Sequence, residues 1–164
     1  MAFQSSVNRV NTFAIQGDVA NGQVPHYTAT TATVYTGETI YCGDFVWVTD
    51  TNGVAVAKKA SQSGKPTGIV RRSLDFPMAA TASASLQIPV GRKVDVIVWG
   101  DVFVKTTDTA AVGKKIFVNN TTGAITCGNA GASVSGATET DWVIKSLAGN
   151  AADASGSIVL VSNV

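Results

Sequence analysis

The chain has 164 residues, a net charge of +1 and only 14% charged side chains. That length supports one well-buried domain. The charge excludes a nucleic-acid binder built on phosphate contacts, which needs an excess of Lys and Arg. Solubility rests on Thr, Ser, Asn and Gly, and a low-charge exterior suits a surface partly covered by partners. The basic pairs Lys58-Lys59, Arg71-Arg72 and Lys114-Lys115 read as solvated strand ends.

Residues 1–30 have weak periodicity. Phe3, Val7, Val10, Phe13 and Ile15 are spread among Gln, Ser and Asn, with Gly17, Gly22 and Pro25 as breakers. This reads as an extended N-terminal arm with apolar anchors, able to lie on its own domain or reach a neighbour. MAFQSSVNRV lacks a cationic start followed by an apolar block, so no secretory signal is expected. Cys42 and Cys127 are then expected as reduced, buried thiols.

Residues 31–164 are expected to form the domain. Thr31–Thr36 and Thr39–Cys42 read as strands. Gly43-Asp44 is a turn pair entering the strand Phe45-Val46-Trp47-Val48. Asn52-Gly53 is the strongest hairpin signal, since both residues tolerate positive φ; it joins Phe45–Thr49 to Val54–Ala57. Residues 60–68 are a loop by composition, and Gly68–Arg72 a short strand. The stretch Leu74–Ala84 is broken by Pro77 and fits either a loop or an edge strand.

The most regular stretch runs from Leu86 to Cys127. Leu86-Gln87-Ile88 is a strand ended by Pro89 and Gly91. Val94, Val96, Val98, Val102 and Val104 then alternate with Asp95, Ile97, Trp99, Asp101, Phe103 and Lys105. The period of two predicts one long strand with a valine core face. The opposite face carries Trp99 and Phe103, which require a cover. Asp95 and Asp101 also prevent this stretch from serving as an apolar membrane span.

Lys114–Asn119 and Ala124–Thr126 read as strands around the turn Asn119–Gly123. Residues 128–137 are a Gly/Ala/Ser loop. Thr138–Leu147 alternates, with Trp142 and Ile144 on one side and Glu139, Asp141 and Lys145 on the other. Asn150–Gly156 is a loop, and Ser157–Val161 a last strand. Leu, the common helix core residue, occurs only at Leu74, Leu86, Leu147 and Leu160. Short strands with turn chemistry between them predict an all-β single domain, a β-barrel or β-sandwich of short antiparallel strands.

His26 is the only histidine, and no nucleophile elbow accompanies it. One His and two distant Cys cannot build a metal cluster. GNAGASVSG lacks both the GxGxxG spacing and a Walker lysine. Asp44 and Asp101, a formal carboxylate pair, are better explained as turn residues. No enzyme, cofactor or metal site is expected. The remaining signal is aromatic: Trp47, Trp99 and Phe103 lie opposite Val-rich faces. They are either buried by a second layer or form a contact surface, where aromatics dominate binding energy.

A family resemblance is carried by several segments in order. These are Met1–Asn8, Pro66-Thr67-Gly68-Ile69-Val70-Arg71-Arg72, and Ile88-Pro89-Val90-Gly91 followed by Gly100-Asp101-Val102-Phe103-Val104-Lys105-Thr106. Ala110–Phe117, Thr122–Ile125 and Gly136–Trp142 continue the series. Together they resemble the tailed-phage capsid cement proteins of the Gp24 type. Departures are the two cysteines, Val102 where an aromatic often follows Gly-Asp, and the long 128–137 loop. The resemblance implies a virion protein, made in the bacterial host cytoplasm, that binds the capsid exterior and bridges neighbouring major capsid proteins. It implies a homo-oligomer, a trimer or dimer, with no nucleic-acid or membrane partner. Phe3, Val7, Val10, Phe13, Trp47, Trp99 and Phe103 are the expected capsid or subunit contacts. The competing reading from the residues is a β-sandwich adhesion module binding glycans through Trp47 or Trp99.

Overall fold

The computed structural model describes residues 14–20, 24–73, 86–148 and 158–163. Thirteen strands form among them: β1 (His26–Tyr27), β2 (Ala32–Val34), β3 (Ile40–Tyr41), β4 (Phe45–Thr51), β5 (Val54–Lys58), β6 (Gly68–Val70) and β7 (Gln87–Ile88), then β8 (Lys93–Val94), β9 (Val96–Lys105), β10 (Lys115–Asn119), β11 (Ile125–Gly128), β12 (Ala137–Ala148) and β13 (Ile158–Asn163). The protein is all-β, as its composition predicts. Ten strands follow one path, β11-β10-β12-β13-β9-β6-β4-β5-β2-β8, with β1 added beside β9. Strands β3 and β7 form a separate pair. The path ends at β11 and β8 without closing, so the sheet is not a barrel. The stretch Leu74–Ala84, expected as a loop or an edge strand, and the loop expected at Asn150–Gly156 lie outside the described residues.

Local chemistry sets the turns. Asn52 and Gly53 take φ of 55° and 77°, the left-handed pair that matches strand twist in a two-residue hairpin. Asp50 fixes this turn by accepting the Gly53 N–H at 2.8 Å. At the next hairpin, Asn119 Oδ1 accepts the N–H groups of Thr121 and Thr122, each at 2.9 Å.

Two cores lie on opposite sides of a shared wall made by β4, β6 and the start of β9. Phe45, Trp47, Ile69 and Ile97 point into the first core, where they meet Val102, Val104, Ile116, Val118, Trp142, Ile144, Val159 and Val161. Phe45 and Trp142 meet edge to face, with centroids 6.1 Å apart. Their neighbours along the wall, Val46, Val70 and Val96, point into the second core with Ala32, Val34, Ile40, Cys42, Ala57, Ile88 and Val94. Alternation along each wall strand therefore serves two interiors, as in a sheet buried on both faces. The wall is tight: a Cβ on Gly68 would stand 2.2 Å from the Ile97 carbonyl oxygen.

The expected valine face of β9 is corrected here. Val94 and Val96 belong to the second core, whereas Val102 and Val104 belong to the first, together with Ile97. The alternation changes phase at Gly100, whose φ of +130° only glycine adopts readily. Asp101 is corrected with it. It is not a turn residue at a strand entry. It sits inside β9, paired with Ser162 of β13, and is buried. Lys145 of β12 neutralises it, with Nζ at 3.0 and 3.3 Å from its two carboxylate oxygens.

Candidate interaction surface

The N-terminal segment runs along β9 and covers Trp99 with the His26 ring, while the change of phase at Gly100 takes Phe103 off the face that Trp99 occupies. On one edge, Gly17 donates to the Phe103 carbonyl at 2.7 Å, Phe103 donates to Asp18 at 3.0 Å, and Ala20 donates to Asp101 at 2.9 Å. On the other edge, where β13 ends at the Asn163–Gly100 pair, β1 takes over and pairs His26 with Trp99 and Tyr27 with Ile97. Between these two stretches Pro25 rests on Gly100, with its Cα 3.1 Å from where a Cβ would be. The segment thus changes edges of β9 at the point where β9 lacks a side chain. We call residues 14–20 and 24–28 the strap.

Side chains hold the strap as well. Arg72 pairs with Asp18 at 2.9 Å, and its N–H donates to the Gly17 carbonyl at 2.8 Å. Gly17 and Gly43 pack backbone to backbone, since a Cβ on either would be 2.8 Å from the other's nitrogen. The His26 ring lies over Trp99 at 4.6 Å, and Arg71 lies over the Tyr27 ring at 5.6 Å. Val24 is exposed.

The expected contact residues fall into three groups. Trp47 is 5% exposed in the first core, and its indole N–H donates to the Gly64 carbonyl at 3.1 Å. Trp99 and Phe103 are half-buried along the strap. Phe3, Val7, Val10 and Phe13 lie outside the described residues. The sequence reading missed His26, Tyr27 and Arg71 as partners of the aromatic face. Nothing local marks a two-residue strand that forms only because β13 stops short.

A cleft of about 440 Å³ opens at the root of the strap, lined by Gln16, Tyr41, Asp44, Lys59, Lys105, Thr106, Thr107 and the Gly123–Ile125 turn. Asp44 caps the Gly43 turn by accepting the Tyr41 N–H at 2.8 Å, and receives Lys59 Nζ at 2.7 Å. The turn expectation for Asp44 therefore holds, with an ion pair added. Burial pushes the Asp44 carboxyl above its usual range, against the opposing pull of Lys59 and the Tyr41 N–H. Lys59 is positioned along its length. Its stem lies on Gly123, its ammonium is 5.4 Å from the Tyr41 ring centre, and its backbone N–H donates to the Glu38 carboxylate.

Among the described residues no group of three or more His, Cys, Asp or Glu side chains could hold a metal ion, and no helix is long and apolar enough to cross a membrane. Cys42 and Cys127 are free thiols, Cys42 buried and Cys127 half-buried. Burial is the leading cause raising both thiol pKa values. The fold and its surfaces define an all-β protein with a strapped aromatic surface and a charged cleft.

The family described as structural cement protein (E217 gp24/Pam3 gp6) matches residues 3–163. This chain belongs to that family, which is a family of structural phage proteins. Among solved structures, a chain from "The capsid of Myoviridae Phage XM1" aligns with 99% of this chain and 98% of its own, at 22% identity and a TM-score of 0.62. That likeness concerns the fold. No curated protein matches the chain.

Proposed function

We propose that this protein binds the outer surface of an icosahedral phage head and cements neighbouring major capsid proteins, without catalysis. The observation that carries the reading is the whole-length match to the cement family. Residues 1–13 precede the strap in sequence. Fully extended, such a stretch reaches roughly 45 Å. Phe3, Val7, Val10 and Phe13 are then anchors on a neighbour, by strand addition or in apolar pockets. The surface over Trp99 and Phe103 supplies a second contact. Weak contacts repeated across a lattice add up to strong retention. A dimer or trimer in solution fits such a role, since the symmetry of the oligomer restricts where on the shell it can sit. The glycan-binding reading receives no comparable support, because Trp47 is buried and His26 covers Trp99.

The test is co-sedimentation of the purified protein with heads that lack it. Binding at saturable, symmetry-related stoichiometry is expected, and deletion of residues 1–13 is expected to reduce occupancy by tenfold or more. Full occupancy by the deletion variant would remove the arm from the account. Absence of binding by the intact protein would remove the cementing role.

A further inference from the structure

We propose that the cleft at the strap root is a seat for one carboxylate side chain, an Asp or Glu, presented by a neighbouring protein of the shell. The inference rests on the cementing reading and adds the chemistry of the contact. Three charged residues line the cleft: Lys59, Lys105 and Asp44. Asp44 neutralises Lys59 at 2.7 Å. Lys105 is exposed at the end of β9 and makes no ion pair among the described residues. One positive charge is left over, and one further carboxylate balances the site.

Lys59 is already held for such a ligand. An ammonium has three N–H donors, and the hydrogen bond to Asp44 uses one of them. The side chain is mostly buried, so little rotamer freedom remains to be lost on binding, which favours affinity. Lys105, the last residue of β9, brings the second cation. The cleft volume of about 440 Å³ admits a carboxylate side chain. Gln16 of the strap also lines the cleft.

Two measurements test this. The first uses the isolated protein with acetate as a probe of carboxylate binding, followed by backbone amide NMR shifts. The expected result is saturable shifts confined to Gln16, Tyr41, Lys59, Thr106, Thr107 and Ala124, abolished in Lys105→Gln. Shifts absent from the cleft, or spread evenly over the surface lysines, would overturn the proposal whether or not the protein binds heads. The second uses heads lacking the protein. Lys105→Glu is expected to weaken binding about tenfold or more, and Lys105→Gln about threefold with a flatter salt dependence, while Lys93→Glu, at the exposed position of β8, matches the unaltered protein. Equal binding by the unaltered protein and Lys105→Glu would contradict the seat and leave the cementing role standing. Failure of the unaltered protein to bind heads, with acetate still seated in the cleft, would instead sink the cementing role and with it the shell neighbour named as the source of the carboxylate.

Discussion

The two cores differ in what builds them. The first contains Phe45, Trp47 and Trp142 and is enclosed by the long strands β9, β12 and β13. The second, among the described residues, has no aromatic residue and is closed by β2, β3, β7 and β8, none longer than three residues. Large aromatic side chains contribute more burial per residue, and long strands add more cross-strand pairs. The first core therefore carries most of the stability, and the second is a cap seated on the shared wall. The wall makes them one cooperative unit, because each of its strands alternates between the two interiors.

A substitution in the wall should break both sides at once. Gly68→Ala forces a methyl group against the Ile97 carbonyl, 2.2 Å away, and is expected to cost about 4 kcal/mol or more. Loss of soluble protein, or a collapsed urea midpoint with unchanged slope, checks it. Trp142→Ala empties the first core beside Phe45 and is expected to cost about 3–5 kcal/mol. Ile88→Ala in the second core should cost about 2 kcal/mol, at the low end for such a truncation. Equal losses for Trp142→Ala and Ile88→Ala in urea unfolding would contradict the ranking of the cores.

Gly100→Ala probes the strap without emptying either core. The added Cβ meets Pro25 at 3.1 Å and the φ of +130° is strained, so about 1–3 kcal/mol is expected. Hydrogen exchange should quicken at residues 15–28 while amides of β12 stay protected. Uniform quickening would show that the strap and cores are not separable.

The smallest effect concerns Asp44. Burial raises its carboxyl pKa in the folded protein, so the native state keeps this proton at a pH where the unfolded chain has lost it. The resulting stability is present below the ordinary carboxylate value, about 4, and is lost as pH rises through the raised value. Asp44→Asn should flatten the melting temperature across that window. An unchanged pH profile would contradict the assignment.

Much of this architecture was legible because it depends on neighbours in sequence. Asn52-Gly53 specifies its hairpin alone, and the alternation of Trp142 and Ile144 places both in the first core. Gly100-Asp101 was misread because the same dipeptide suits a turn entry and a mid-strand change of phase. What separates the two is Pro25, distant in sequence, seated on Gly100. Periodicity also puts Trp47 and Trp99 on strand faces without saying what covers them. In the fold, the first core takes Trp47 and the strap takes Trp99. The cleft was invisible for the same reason, since Lys59, Lys105 and Gly123 meet only through sheet pairing and the turn after β10.

The central claim is that this protein strengthens a phage shell. The most direct measurement is the temperature at which DNA-filled heads release their DNA, with and without the protein bound. A rise that scales with occupancy is the result expected here. Saturated binding with an unchanged release temperature would contradict a cementing role.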